Sequence, residues 1–339
     1  MTTLASQLEQ AALLPVDEVD VTILVDNVVD INLPGTDVAQ RPPRHYDWAE
    51  RAQLRAEHGY ALLLTVRRGQ TSQTLLYDSG LGRDTLVHNM DVLEVRPGGL
   101  RAIVLSHGHA DHHGGLEGVL RRLGRGGTPL VLHPDAWRER RLVFPTGTEV
   151  HMPPPSRADL EAEGVQVVEE RGPSLLLDDT VLVSGQTERI TEFETGVPSQ
   201  QARTSGGWEP DPWVWDDQSV IVHLAGKGLV VLSGCSHSGA VNVLRNAQRV
   251  TGIREVHAFI GGLHLSGAAF ESIIPRTVAA VAAVNPAVVV PGHCTGWRAT
   301  HELARALPAA YVQTSLGTRL HFDADFAAAP RHHAPQTLV

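Results

Sequence analysis

Residues 102–120, AIVLSHGHADHHGGLEGVL, constrain the chain more than any other segment. An apolar, β-branched run delivers His107, His109, Asp111 and His112 within six residues, and a glycine pair and a helical pattern follow. A fold that accepts this segment has to end a buried strand at a cleft and turn at once into a helix. Alternate positions 107 and 109 turn two imidazoles the same way, while Asp111 and His112 address an adjacent position as the helix begins. Imidazole and carboxylate suit one or two divalent metal ions, Zn first, with Mn or Fe as alternatives. A solvated polar loop is the competing reading, and it accounts for one histidine better than for four ligands at a strand end.

Similar apolar runs recur on both sides of this segment. VTILVDN from Val21, YALLLTV from Tyr60 and QTLLYDSG from Gln73 precede it. TVLVSG from Thr180, QSVIVHLAG from Gln218, GLVVLSGC from Gly228, EVHAFIGG from Glu255 and AVVVPGHC from Ala287 follow. Helix-like stretches begin at Gly114, Gly239, Glu271 and Ala299. Early strands form hairpins and later ones alternate with helices, so an α/β sandwich is expected, with two packed mixed sheets and outer helices. No linker interrupts the pattern, so residues 1–339 read as a single domain. Two Pro-, Gly-, Arg- and Glu-rich stretches, near 30–58 and 133–211, read as irregular insertions of the kind that form lids. A loose tail is expected from about residue 325, and its His332 and His333 carry no signal.

Composition removes several function classes. The formal charge is -10, Lys227 is the only lysine, and no basic block is present, so nucleic acid is an unexpected partner. Two cysteines, Cys235 and Cys294, are too few for a secreted disulfide framework. The start, MTTLASQLEQ, lacks a basic segment followed by an apolar one, and no apolar run reaches spanning length. A cytoplasmic protein with a small-molecule substrate and no membrane partner is the expectation.

The HxHxDH pattern of His107, His109, Asp111 and His112 resembles the signature of the metallo-β-lactamase superfamily, which implies a metallo-β-lactamase-like αββα sandwich. Asp78 in LLYDSG resembles the superfamily's early strand-end aspartate, which braces the metal loops. His293 in PGHCTG resembles the late ligand histidine. ILVDN, EHG at Glu57, SGCSHSGAVN at Ser233, GGLHL at Gly261 and PGHCTG are together similar to one subgroup. That subgroup is the 7,8-dihydropterin-6-methyl-4-(β-D-ribofuranosyl)aminobenzene-5'-phosphate synthase family, and the resemblance runs over roughly residues 21–322. The chain departs from the superfamily pattern in DPWVWDDQSVIVHLAGKGLVVLSGC, which has no histidine where a ligand falls and Cys235 where a bridging aspartate falls. His237 is the expected replacement, with Asp211 or Asp216 as the alternative. Cys235 is either a ligand of a second metal or a small buried residue.

Weaker candidates are His264, for proton transfer, and Arg189, for an anionic substrate. His58 is expected to make a structural hydrogen bond, and Cys294 to serve packing. The ligand set implies a hydrolase in which Asp111 orients a water nucleophile against a small ester, lactone or phosphoester. The resemblance implies instead a pterin-linked transferase. A non-catalytic ligand or metal sensor is the reading from outside enzymology.

Overall fold

The computed structural model describes residues 11–43 and 49–324, so the chain start and the tail, including His332 and His333, lie outside the described residues. Strands Glu18–Val25, Ala61–Arg68 and Thr71–Tyr77 pair antiparallel, and Thr71–Tyr77 then pairs parallel with Leu100–Val104. The same sheet continues parallel through Pro129–Leu132 to Gln166–Glu169, and Arg319–Asp323 joins its other side against Glu18–Val25. The second sheet repeats this progression. Ser174–Leu176, Val181–Val183, Ser219–Leu224 and Gly228–Ser233 are antiparallel neighbours, whereas Gly228–Ser233, Val256–Gly262 and Val288–Gly292 run parallel.

Alternation along the strands explains why the sheets stack. Val19, Val21, Ile23, Leu62 and Leu64 face Val220, Val222, Val230, Leu232 and Ile260 in one shared core. The intervening residues face outward and are also apolar, because helices cover both outer faces. Ile221, Val231, Phe259 and Val289 pack under helices Ala240–Thr251, Ile274–Val284 and Trp297–Ala306. Leu76, Ile103 and Leu130 pack under Thr85–Val92 and Leu116–Leu123. Each fully buried aliphatic side chain contributes roughly 1.5–3 kcal/mol of transfer free energy, so these layers dominate the stability of the sandwich. Among the described residues no helix is long and apolar enough to cross a membrane.

The segment 133–211 is not irregular, contrary to the sequence expectation. Arg140–Val143, Glu149–Met152, Gln200–Thr204 and Gly207–Pro210 form a separate antiparallel sheet, and three further strands of this segment extend the main sheets. Apart from Val181–Val183, which TVLVSG announces, these strands are three to five residues long and lie among polar residues, too short for a two-residue period to stand out. The described part of 30–58 holds only the two-residue strand Ala39–Gln40, and residues 44–48 lie outside the described residues.

Candidate metal centre

The strand ends carrying chemistry meet at one edge of the sandwich. Asp78 follows Thr71–Tyr77, His107 and His109 follow Leu100–Val104, and Cys235 and His237 follow Gly228–Ser233. His264 follows Val256–Gly262, and His293 follows Val288–Gly292. Four residues of these loops hold left-handed backbone, Asp78 (φ 61°), Ser236 (φ 56°), His264 (φ 45°) and His293 (φ 49°). Non-glycine residues in this region are uncommon and cost energy, and they concentrate where the surrounding packing holds a site in place.

Hydrogen bonds fix which nitrogen of each imidazole is bare. The Ser106 hydroxyl donates to Asp78 Oδ2 (2.7 Å), so it accepts from His107 Nδ1 (2.9 Å), and His107 Nε2 keeps its lone pair. His112 Nδ1 donates to the same Asp78 oxygen at 2.7 Å, so in the neutral ring Nε2 is the nitrogen left bare. Gln200 Nε2 donates to the Asp211 carbonyl and carboxylate, so its Oε1 accepts from His109 Nε2 (2.7 Å) and frees His109 Nδ1. Three buried rings thus turn one lone pair each toward the centre of the cluster, as ligands braced by a carboxylate, hydroxyl or amide do.

Ligand atoms of His107, His109 and His237 lie within 4.8 Å of one another, with His107 Nε2 and His237 Nε2 at 3.1 Å. Nitrogens around a tetrahedral zinc ion at ~2.0–2.1 Å stand ~3.3 Å apart, so this spacing fits a shared cation. Beside them, His112 Nε2 is 3.2 Å from Cys235 Sγ and 3.8 Å from Asp111 Oδ2. Asp111 Oδ2 is 3.3 Å from His293 Nε2, and both ring nitrogens of buried His293 lack a hydrogen-bond partner. Orphaned buried nitrogens cost energy unless a ligand satisfies them. The donor set therefore fits two adjacent cations, one among imidazoles and one among imidazole, carboxylate and thiol.

Electrostatics divide the cluster the same way. Burial, reinforced by neighbouring imidazoles, pushes His107 and His237 well below the ordinary histidine range. Burial and Arg140 bring His109 down to about 4. Such rings stay neutral and offer lone pairs. Burial also opposes charge on His112, but Asp78 and Asp111 outweigh it and push the ring up to about 9, so without a metal Nε2 holds a proton that a bound cation would displace to reach its lone pair. Burial alone would raise the Asp111 carboxyl, yet His112 and His293 hold it well below the usual carboxylate range.

The remaining expectations fall in distinct places. Asp216 accepts from Gly108 N (2.8 Å) and from Arg140, and Asp211 accepts from Arg140 Nε (2.8 Å), so both carboxylates are committed to a fully buried guanidinium. Arg189, expected to hold an anionic substrate, spends its terminal nitrogens on the carbonyl oxygens of Thr187, Trp213 and Val214, with its face over Trp215. It braces the 187–215 loop instead, with its terminal nitrogens on carbonyl oxygens and its buried Nε without a partner. His264 packs between His237 and Phe270, with ring centroids at 4.2 and 4.4 Å, and its Nδ1 has no partner. Glu57 makes the structural hydrogen bonds of the EHG motif, accepting from Leu81 N, Gly82 N and Thr85 Oγ1, whereas the exposed His58 lies 3.7 Å from Asp111 at the mouth. Cys294 touches Cys235, Sγ to Sγ at 3.2 Å.

Sequence reasoning passed over Gln200, Arg140 and Ser106. Gln200 and Arg140 reach the site from the separate small sheet, and nothing in their local sequence marks them. Asp26, within the VDN motif, was legible as a motif but not as a role: its carboxylate accepts from His293 N (3.0 Å) and Thr314 Oγ1 (2.7 Å) and so holds the left-handed histidine in place.

A strand-end HxHxDH run, a bracing aspartate and a late histidine on an αββα frame define a class, and the family comparison agrees with it. The model of the metallo-beta-lactamase superfamily matches residues 55–250, more than half of the chain, and the chain belongs to that superfamily. It is 29% identical over 249 residues to the 7,8-dihydropterin-6-methyl-4-(beta-D-ribofuranosyl)-aminobenzene-5'-phosphate synthase of Methanocaldococcus jannaschii, covering 72% of this chain and 83% of the relative. An uncharacterized protein of the same organism is also 29% identical, over 253 residues, 74% of this chain and 88% of the relative. Among solved structures, Tm1679, described as a metal-dependent hydrolase of the beta-lactamase superfamily, superposes with a TM-score of 0.68 at 22% identity. That match covers 90% of this chain and 99% of Tm1679, and at this identity it shows the shared fold.

Proposed function

We propose that the chain is a metal-dependent hydrolase acting on a small ester or lactone with an apolar acyl or aryl group. The observation that carries this reading is the convergence of bare lone pairs from His107, His109 and His112, fixed by Ser106, Asp78 and Gln200. His107, His109 and His237 would hold one ion, and Asp111, His112, His293 and Cys235 the other. When bound, such cations acidify water toward a pKa of ~7 and withdraw charge from the attacked group. Zn is the metal that this nitrogen, carboxylate and thiol set suits best.

The chain's own residues supply orientation and protons. Asp111 keeps its carboxylate charged and partly open to the cleft, where it accepts a hydrogen bond from the attacking water and aims it. His264 stands beside His237 with an unpartnered Nδ1, in position to hand a proton to the leaving group. Next to these histidines opens a pocket walled by Phe193, Leu263, Leu265, Phe270 and Ile273. Glu194 is the one charged side chain in its lining among the described residues, and its carboxylate is taken by Val241 N, Asn242 N and Thr191 Oγ1. A pocket without a free cation suits an apolar substituent rather than a phosphate.

The 29% identity to the Methanocaldococcus synthase favours a second reading, transfer between a reduced pterin and an arylamine ribosyl phosphate. One panel separates the two. Zinc-loaded protein is assayed against p-nitrophenyl butyrate, p-nitrophenyl phosphate, an acyl lactone, and the pterin with ribosylaminobenzene phosphate. Hydrolysis of butyrate or lactone above the phosphate is the expected result. Coupling of the pterin pair without ester or lactone turnover would overturn the hydrolase reading. Tight binding of a metabolite with no turnover at all would make the site a sensor.

A further inference from the structure

The two cysteines of the chain come from different strand ends, Cys235 after Gly228–Ser233 and Cys294 after Val288–Gly292, with Val256–Gly262 running between them. They meet over Gly262. A Cβ at that position would stand 2.7 Å from Cys294 Sγ and 3.2 Å from Cys235 Cα, so the missing side chain is what lets the thiols approach across the middle strand. The sulfurs are 3.2 Å apart, and both cysteines are free and buried. A disulfide needs ~2.05 Å, so closure asks for a movement of about 1 Å. Cys235 Sγ is also 3.2 Å from the bare Nε2 of His112. One sulfur therefore has two partners within reach, the position of the second ion and the other thiol.

We infer that Cys235 and Cys294 form an oxidation-sensitive dithiol site, whose ligand is a small peroxide and whose closure withdraws Cys235 from the ion beside His112. The thiol pair stands on its own geometry, and only the coupling to metal rests on the proposed ligand set. In the first step one thiolate sulfur attacks a peroxide oxygen, the O–O bond breaks, and a sulfenic acid and water result. The second sulfur then attacks the sulfenic sulfur, the S–O bond breaks, and the hydroxyl leaves as water with the second thiol's proton. Two thiols lose two electrons in total, and hydrogen peroxide is reduced to two waters. An ion seated on Cys235 occupies the sulfur lone pair, so the loaded protein resists closure.

The test uses the full chain, metal-free and zinc-loaded, each treated with hydrogen peroxide and alkylated under denaturing conditions for mass analysis. In the metal-free protein two alkylatable thiols should fall to none, a Cys235–Cys294 linked peptide should appear, and dithiothreitol should reverse both. Zinc-loaded protein should keep both thiols under the same treatment, and oxidised protein should take up one zinc ion fewer than reduced protein. Cys294→Ser should yield no linked peptide and should bind zinc like the parent before oxidation. Separate overoxidation of each sulfur without a link, or thiols that persist in the metal-free protein, would overturn the proposal. Equal closure with and without zinc, at unchanged zinc uptake, would overturn the coupling to the metal. A reduced parent that binds no zinc would sink the metal reading itself, while closure would still be scored by mass.

Discussion

A single carboxylate, Asp78, sets the tautomers of two histidines, taking His112 directly and His107 through the Ser106 hydroxyl. Gln200 does the same for His109 from 91 residues further along the chain. The difference explains what could be read in advance. His107, His109, Asp111 and His112 are contiguous, so their spacing announces a ligand set, whereas an orienting amide in a remote strand leaves no pattern. His237 was expected from an absence, the missing superfamily histidine, and it lies in contact range of His107. Gln200 should act through orientation alone. Gln200→Leu should weaken zinc binding by roughly 10-fold or more, since the His109 ring is then free to turn, with little change in the unfolding midpoint. Zinc affinity by competition with a chromophoric chelator checks this, and parent-like affinity would remove Gln200 from the site.

Long or strongly apolar elements were mostly legible, and short ones with mixed polarity mostly were not. Nine apolar runs became strands and four helical patterns became helices, because each is long enough or apolar enough for its period to show. Four-residue strands such as Pro129–Leu132 and Gln166–Glu169 carry too few turns of the pattern. Arg140 is the clearest case. It leaves Arg140–Val143 to sit fully buried between Asp211 and Asp216, tying the small sheet to the loop that carries Gly108. Removing it strands two buried carboxylates. Arg140→Met should cost about 3–5 kcal/mol in urea unfolding, and a loss under 1 kcal/mol would show that the triad is not needed to hold the insertion.

Across the molecule, two sheets bring their chemical ends to one edge, and buried histidines there and elsewhere couple stability to pH. His257 packs edge-on against Phe322 in the sandwich, and burial, helped by Lys227, brings it down to about 4. The unfolded chain takes this proton near pH ~6.5 and the folded chain refuses it until about pH 4, so stability falls as pH is lowered through that window. His107, His109 and His237 act in the same sense in metal-free protein. The loss from pH 7 to pH 5 should be about 1–2 kcal/mol smaller in His257→Leu than in the parent, measured by urea titration at both values. Equal losses would place a charged His257 in the folded state.

The central claim is that two adjacent cations share this edge, one of them held by His107, His109 and His237. Metal stoichiometry by plasma mass spectrometry, after zinc loading and dialysis, tests it most directly. The parent should retain two ions per chain and His237→Ala one, with His109→Ala matching His237→Ala. Equal zinc in His237→Ala and the parent, or no retained zinc in the parent, would contradict the account.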